Sequence, residues 1–410
     1  MAIAAADVHG TQKRRQHKVT PAPLPTDMVL EIARRTDPPT LARLAAACKD
    51  LRRHITDPSF RSRRLGLRHG ERFAPPSCLL RGQLVCRWDK DLYLEDNTTP
   101  AAANGAKSVV AADLFNGADD ELCLPVAARG GLVLIRVINP KNHVIGAETT
   151  VRVCSAATGR SQSLAPGPAF PGHHVLLVGD GANGGGEVGR PFKVLKVGST
   201  TSALQIQTFS SERGTWGPKT MIPSPFQTSC NSLSPKPGAY LVVGDAVYWL
   251  CRDDNSFYVF KLDISGEARL TMTKLPPSFH RECGLPRGRS VPHVLLATAW
   301  AAGSPVVLVA NHGRISTWTM TTSGQTARWT DKPHVVVEYE AMERLIDGVL
   351  DRQLGTVRLE WFAEMTGVVL LSTPRYGFFW LDLQSGYIIR HYSRSLGLRT
   401  YPYEMDYLSL

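Results

Sequence analysis

Short apolar runs recur along most of this chain at a nearly fixed spacing, and that recurrence limits the folds open to it. One series alternates apolar and polar residues and ends in a turn containing glycine. Val151–Ser155 runs to Gly159, Leu204–Phe209 to Gly214, Phe260–Ser265 to Gly266, Ile315–Met320 to Gly324, and Trp380–Ser385 to Gly386, with Asn104-Gly105 as a weaker member. The glycines stand 54, 55, 52, 58 and 62 residues apart. A second series precedes the first and is apolar without interruption: Leu84-Val85-Cys86, Leu132–Ile135, Val175–Val178, Ala246–Leu250, Val306–Val309 and Val368–Leu371. Alternation predicts a strand with one covered face, and a continuous run bounded by turn residues predicts a strand covered on both. A β repeat of this length that occurs six times predicts a six-bladed β-propeller-like fold, one blade per repeat. A β-sandwich or two stacked β domains with coincidental spacing is the alternative. Glycine at the turns supplies the positive φ that such turns demand.

The first seventy residues read differently. Thr26 can cap a helix carrying Val29, Ile32 and Ala33 at helical spacing. Pro38-Pro39 interrupts the chain, and Thr40 can cap a second helix. Its apolar positions Leu41, Leu44, Cys48, Leu51 and Ile55 form one stripe. Asp57-Pro58 restarts a third helix. Arg61 to Arg72 extends the unit as a basic helix ending near Gly70, and Pro75-Pro76 marks a boundary. The expected organisation is a basic, disordered tail over 1–20, a small all-α three-helix unit over 21–72, and an all-β domain over 73–410. Three helices in about forty residues bury their apolar faces poorly, so another surface must cover what remains.

The ordered set Leu24-Pro25-x-Asp27, Glu31-Ile32, Leu41-x-x-Leu44-x-x-x-Cys48-Lys49 and Asp57-Pro58-x-Phe60 resembles the F-box family. The likeness covers about forty of the 410 residues. One departure is Leu51, where many members carry Trp; leucine still offers apolar area, as a weaker anchor. The β domain looks like the propeller-type associated domains that follow the F-box in many plant proteins, through Val247-Tyr248-Trp249-Leu250, Leu262-Asp263 and Ser211-x-x-Gly214-x-Trp216. The resemblance implies a substrate-recognition subunit of an SCF-type cullin–RING ubiquitin ligase, itself non-catalytic. Leu24, Pro25, Met28, Ile32, Leu41, Leu44, Cys48 and Leu51 would then dock a small acidic Skp-type adaptor, and through it a cullin, while the β domain holds a target protein. A stand-alone scaffold, or a carbohydrate- or protein-binding propeller, is the competing reading.

The net charge of +11 invites a nucleic-acid reading, but its distribution opposes one. Residues 1–72 hold 15 Lys and Arg against 7 Asp and Glu, which leaves only three of the eleven charges to the remaining 338 residues. A basic helical unit fits an acidic protein partner, whereas the β domain lacks the field that a phosphate backbone requires. Eight cysteines with no Cys-x-x-Cys pair predict reduced thiols buried as small hydrophobes, with neither a zinc site nor a disulfide framework. Ala2–Ala6 is too short for the apolar core of a signal peptide. The basic run Lys13–Lys18 is compatible with nuclear import, so a cytoplasmic or nuclear location is expected. The longest apolar window, Val291 to Ala310, contains Pro292 and Gly303-Ser304-Pro305 and predicts two strands around a turn rather than a membrane span.

Gly184–Gly189 matches Gly-x-Gly-x-x-Gly by letter, but the β-rich Phe192–Val197 follows where a dinucleotide site needs a helix. Adjacent residues on a strand point to opposite faces, so His173 and His174 cannot easily share a metal. Asp119–Glu121 and Asp253–Asn255 read as acidic turns. No phosphate loop, nucleophile elbow or His-Glu-x-x-His motif is present. No catalytic residue, metal or cofactor is expected, and the tryptophans are expected mainly in the core.

Overall fold

The structure is a computed structural model. It describes residues 24–35, 44, 48–56, 80–86, 92–96, 108–110, 122–138, 150–155, 159–167, 170–179, 188–200, 203–223, 240–252, 256–282, 293–298, 304–311, 313–323, 326–343, 356–364, 366–374, 376–383, 385–392 and 399–404.

Near the front stand two helices, α1 (Thr26–Arg35) and α2 (Lys49–Thr56), packed against each other. The carbonyl of Pro25 accepts from Met28 N and Val29 N, at 3.0 and 3.1 Å, so α1 starts on Pro25 rather than on a Thr26 cap. The unbroken stripe expected from Leu41 to Ile55 is interrupted. Leu44 is helical, Cys48 is not, and α2 begins at Lys49, with the Cys48 carbonyl accepting Arg52 N at 2.9 Å. Asp50 in the first turn of α2 favours a new helix start there, because an acid offsets the positive end of the helix dipole. Leu41, the third helix from Asp57 and the basic Arg61–Arg72 extension lie outside the described residues.

The described residues from Leu80 onward are mostly β, in a β-propeller arrangement built from antiparallel sheets. The first sheet contains β1 (Leu80–Cys86), β2 (Leu92–Asp96) and β3 (Ser108–Val110). The second runs β4 (Leu122–Arg129), β5 (Leu132–Ile138), β6 (Thr150–Ser155), β7 (Ser161–Ser163). The third runs β8 (His173–Val178), β9 (Phe192–Ser199), β10 (Ala203–Ser210), with β11 (Thr215–Trp216) and β12 (Thr220–Pro223) both on β10. The fourth runs β13 (Leu241–Val243), β14 (Ala246–Arg252), β15 (Phe257–Asp263), β16 (Arg269–Lys274), and helix α3 (Pro277–Glu282) follows it. The fifth runs β17 (His293–Thr298), β18 (Pro305–Asn311), β19 (Arg314–Ser323), β20 (Thr326–Trp329), with β21 (His334–Glu338) also on β19 and helix α4 (Tyr339–Glu343) after it. The sixth runs β22 (Arg358–Ala363), β23 (Val368–Thr373), β24 (Gly377–Asp382), β25 (Ile388–Tyr392). The last strand, β26 (Arg399–Glu404), returns to pair with β1. Within the Val291–Ala310 window, β17 and β18 pair antiparallel, the two strands expected there.

The core lies in the seams between sheets. One cluster joins the fourth, fifth and sixth sheets around Trp318, Phe279 and Phe379. A second joins the third and fourth through Val175, Val242 and Trp249. A third joins the second and third through Leu134, Val153, Leu176 and Val194. Trp318 and Trp380 are fully buried and Trp329 and Trp249 nearly so, as expected of core tryptophans.

The repeated turn has a common geometry. Gly159 N donates to Ser155 O, Gly214 N to Ser210 O and Gly386 N to Asp382 O, each at 2.9 Å, and all three glycines have φ near +70°. Gly266 departs from the expectation: its φ is not positive. There the carboxylate of Asp263 accepts from Ser265 N (3.1 Å) and Ser265 Oγ (2.7 Å), so a side chain shapes the turn without a left-handed residue. Gly105 and Gly324 lie outside the described residues.

Candidate functional site

Strands β4, β8, β13, β22 and β26 surround a narrow central cavity of about 60 Å³, lined among others by His174, Tyr240, Trp361, Glu364, Tyr401 and Arg129. Its two ends differ. At the C-terminal ends of the strands, Arg129 Nη1 pairs with Glu364 Oε2 at 2.5 Å, and Arg129 Nη2 donates to Val242 O at 3.1 Å. Val242 N donates to Glu364 Oε1 at 3.0 Å. The triangle ties the second, fourth and sixth sheets together. Burial pushes the Glu364 carboxyl above its ordinary range, while Arg129 and the Val242 amide pull it back. Close by, Glu404 Oε1 accepts from Thr366 N and Thr366 Oγ1, both at 2.8 Å.

At the other end stand His173, Tyr240, Trp361 and Tyr401. Tyr240 packs between His173 and Trp249, with centroids 6.0 and 5.9 Å away, and Trp361 packs on Tyr401 at 4.5 Å. The two histidines diverge as strand geometry requires. His173 turns toward the fourth sheet and Tyr240, while His174 pairs across the ladder with Lys196 in the seam with the second sheet. Among the described residues no group of three His, Cys, Asp or Glu is placed to hold a metal ion.

His174 makes a pH-dependent contribution. Burial first, then the cations of Lys196 and Arg136 and the neighbouring His173, push it from 6.5 to about 3. Between those two values the unfolded chain binds the proton and the folded one does not. Its stability term is therefore fully present above pH 6.5 and is lost as pH falls toward 3, by up to about 1.4 kcal/mol per pH unit. We expect urea melts in chloride buffer to show wild type losing roughly 2 kcal/mol between pH 7 and pH 5 relative to His174→Gln. Parallel pH profiles for the two proteins would refute this.

A larger concavity, about 1050 Å³, opens on the outside between the fourth and fifth sheets, with Met272, Lys274, Met320, Arg328 and Trp329 in its lining. The helical unit offers a surface of a different kind. Leu24, Met28 and Ile32, four residues apart, are 57%, 54% and 50% exposed, while Ala33 on the opposite side of α1 is buried. Pro25 is exposed as well, and Leu44, Cys48 and Leu51 are half-buried. Leu41 cannot be placed, since it lies outside the described residues. Sequence reasoning named these apolar positions but missed Arg129, Glu364 and Glu404. A charge at a strand end reads as an ordinary solvated residue until the sheets are closed into a ring.

Among the described residues, Cys48, Cys123, Cys154 and Cys251 are not joined in disulfides. Burial pushes Cys154 up to about 12, which makes it an inert hydrophobe. The glycine-rich match at 184–189 leads into strand β9, not a helix. No helix among the described residues is long and apolar enough to cross a membrane.

A family model described as "Domain of unknown function (DUF7595)" matches residues 93–410, from within β2 to the last residue of the sequence. No curated protein matches the chain. Among solved structures it is similar to a prolyl endopeptidase, at 13% identity and a TM-score of 0.34, covering 80% of this chain and 50% of that one. A structural-genomics protein of unknown function from Bacteroides thetaiotaomicron VPI-5482 is similar at 15% identity and a TM-score of 0.33, covering 70% and 66%. The Dos1 propeller is similar at 9% and 0.34, covering 77% and 68%. The chain thus spans half to two-thirds of the length of the first two, and likenesses of this size carry no argument about activity.

Proposed function

The chain belongs to the DUF7595 family, whose description assigns no function, and we propose that it is a substrate-recognition subunit of an SCF-type cullin–RING ubiquitin ligase. In this reading residues 21–72 are an F-box that docks a Skp-type adaptor. The six sheets are six blades of one propeller that holds a target protein. The protein performs no chemistry of its own; it raises the local concentration of target lysines near a ubiquitin-loaded enzyme. Its place of work is the cytoplasm or the nucleus.

The observation that carries the proposal is the outward apolar stripe of Leu24, just before α1, and Met28 and Ile32 on it. A helix start that turns three large apolar side chains to solvent, four residues apart, is built to be covered. Leu24 and Ile32 also belong to the ordered set through which the sequence resembles the F-box. A basic helical unit suits an acidic adaptor.

Each of the three side chains has about half its surface left to bury, so together they offer roughly 2–4 kcal/mol, or a ~30- to 1000-fold change in adaptor affinity. Co-expression of the full chain with a Skp-type adaptor is expected to give a complex on size exclusion. The triple variant Leu24→Asp, Met28→Asp, Ile32→Asp should lose it while keeping the melting temperature of the β domain. If wild type yields no complex, the stand-alone propeller reading takes over. If the triple variant still recovers adaptor at wild-type yield, the docking face is wrong.

A further inference from the structure

The inner part of the boundary between the fourth and fifth sheets is packed core, but its outer part opens into the concavity of about 1050 Å³. Thr271, Met272, Thr273 and Lys274 of β16 all border it, and so do Ala327, Arg328 and Trp329 of β20. Neighbouring residues on a strand point to opposite faces, so a space that touches each in turn runs along the strand's edge. β16 and β20 are the outermost strands of their sheets, and among the described residues each is laddered on one side only, to β15 and to β19. Two strand edges therefore border the cleft.

The backbone of β16 is turned the right way for pairing. Leu275 N donates to Phe257 O at 2.9 Å, and Lys274 stands opposite Tyr258 in the next pair. Bonded and non-bonded pairs alternate along an antiparallel ladder. Thr273 and Thr271 thus bond inward to β15, while Lys274 and Met272 present N–H and C=O groups to the outer edge. Such an edge is a template for an added strand. Charge narrows what can take the place. Neither β16 nor β20 contains an acid, whereas Arg269, Lys274 and Arg328 bring three cations. Among the described residues of the lining, Asp331 is the one acid, and Lys261 already has Asp263 within 3.6 Å. The wall on the fifth sheet is apolar: Met320 and Trp329, paired across β19 and β20, and Pro305 of β18.

We propose that this cleft binds an extended acidic segment of a partner protein. The segment adds to the outer edge of β16 as a strand. It sets alternate apolar side chains against Met320 and Trp329 and brings its carboxylates to Lys274 and Arg328. A basic segment is repelled by the same edge. The cleft lies in the β domain, so binding does not depend on adaptor docking; only its use to hold a target for ubiquitination rests on the function proposed above.

Fluorescence anisotropy with the full chain, in the absence of adaptor, tests it. The probe is a pool of labelled decapeptides in which Asp or Glu alternates with Leu, Met or Phe, and a matched pool with Lys or Arg in place of the acids is the control. Saturable binding of the acidic pool is expected, and little of the basic one. Lys274→Glu combined with Arg328→Glu should weaken it at least ~10-fold. Met272→Pro removes an outward N–H and leaves the ladder to β15 intact, and should weaken it about as much. Should that variant fail to fold, N-methylation of alternate peptide nitrogens removes the same bonds from the other side. No saturable change up to about 1 mM peptide overturns the proposal, as does equal binding of both pools. Binding that survives Met272→Pro or the N-methylated peptides shows attraction without an added strand and overturns it too. A dimer that Met272→Pro dissolves, with no peptide bound, would assign the edge to a second copy of the chain instead. If residues outside the described set already pair with β16, no peptide binds and the proposal falls. None of these failures touches adaptor docking, which is read by co-expression.

Discussion

A chain ending at residue 398 is expected to lose the cooperative fold of the β domain. Such a chain lacks only β26 and the six residues after it, but β26 is the strand that returns to the beginning. It pairs with β1 along six registered positions, from Leu80↔Glu404 to Cys86↔Arg399. It also reaches both flanking sheets. Gly131 N donates to Glu404 O at 3.0 Å, Tyr403 Oη donates to Gly131 O at 3.3 Å, and Thr366 donates twice to the Glu404 carboxylate. Tyr401 and Tyr403 are 1% and 0% exposed. At about 150–250 Å² each and about 25 cal/mol per Å², their burial is worth roughly 4–6 kcal/mol apiece as an upper estimate. Together with the lost ladder, that matches most of the ~5–15 kcal/mol that holds a domain folded. Calorimetry should therefore show no sharp transition for the shortened chain. A control chain ending at Glu404 separates the strand from the residues beyond it, and Tyr403→Phe, which loses one hydrogen bond, should cost only about 1 kcal/mol. A sharp transition within a few degrees of wild type in the 398-residue chain would mean that β26 does not close the ring.

The reason that closure escapes a reading of the sequence lies in where each strand sits. The two series of apolar runs correspond to the second and third strands of the sheets: β5, β14, β18 and β23 in one, and β6, β10, β15, β19 and β24 in the other. Those strands have neighbours on both edges and meet other sheets across their faces, so burial writes a plain pattern into them. The third sheet breaks the rule, because the run Val175–Val178 belongs to its innermost strand β8, and the second place goes to β9. Innermost strands are harder to recognise. β13 has three residues, β4 carries Pro125 and a register shift, and β22 another shift, so none shows clean periodicity. Outer strands such as β16 are mostly exposed and read as loops. β26 contains Pro402 between its two buried tyrosines, a residue that argues against a central strand in any local reading. Its role follows from topology, which no window of sequence contains. The helical unit was legible in the opposite sense. Its motif residues could be named, but the break at Cys48 depends on backbone hydrogen bonds that an apolar stripe does not reveal.

Replacing Glu364 by alanine is expected to destabilise the β domain by about 2–4 kcal/mol. The change leaves the Arg129 guanidinium partly buried without its counter-ion and leaves Val242 N without an acceptor. Breaking a buried pair from one side costs about 3–5 kcal/mol, and the remaining exposure of these side chains, 23% and 22%, lowers that figure. The double variant Arg129→Met, Glu364→Met should behave otherwise. With both charges gone nothing is left unpaired, and the cost should fall below that of Glu364→Ala alone, to near zero or to a gain. The raised pKa of Glu364 points the same way: desolvation outweighs its attraction to Arg129. A carboxyl whose folded pKa lies above its unfolded value contributes most below the unfolded value, and loses that contribution as pH rises through the folded one. Relative to Glu364→Gln, wild type should therefore gain stability on acidification from neutral pH. The pair is thus better understood as a device that fixes how three sheets meet at one end of the channel than as a source of net stability. Urea melts of the single and double variants decide the matter. A double variant as unstable as the sum of its singles would show that the two charges act independently and do not form the tie drawn here.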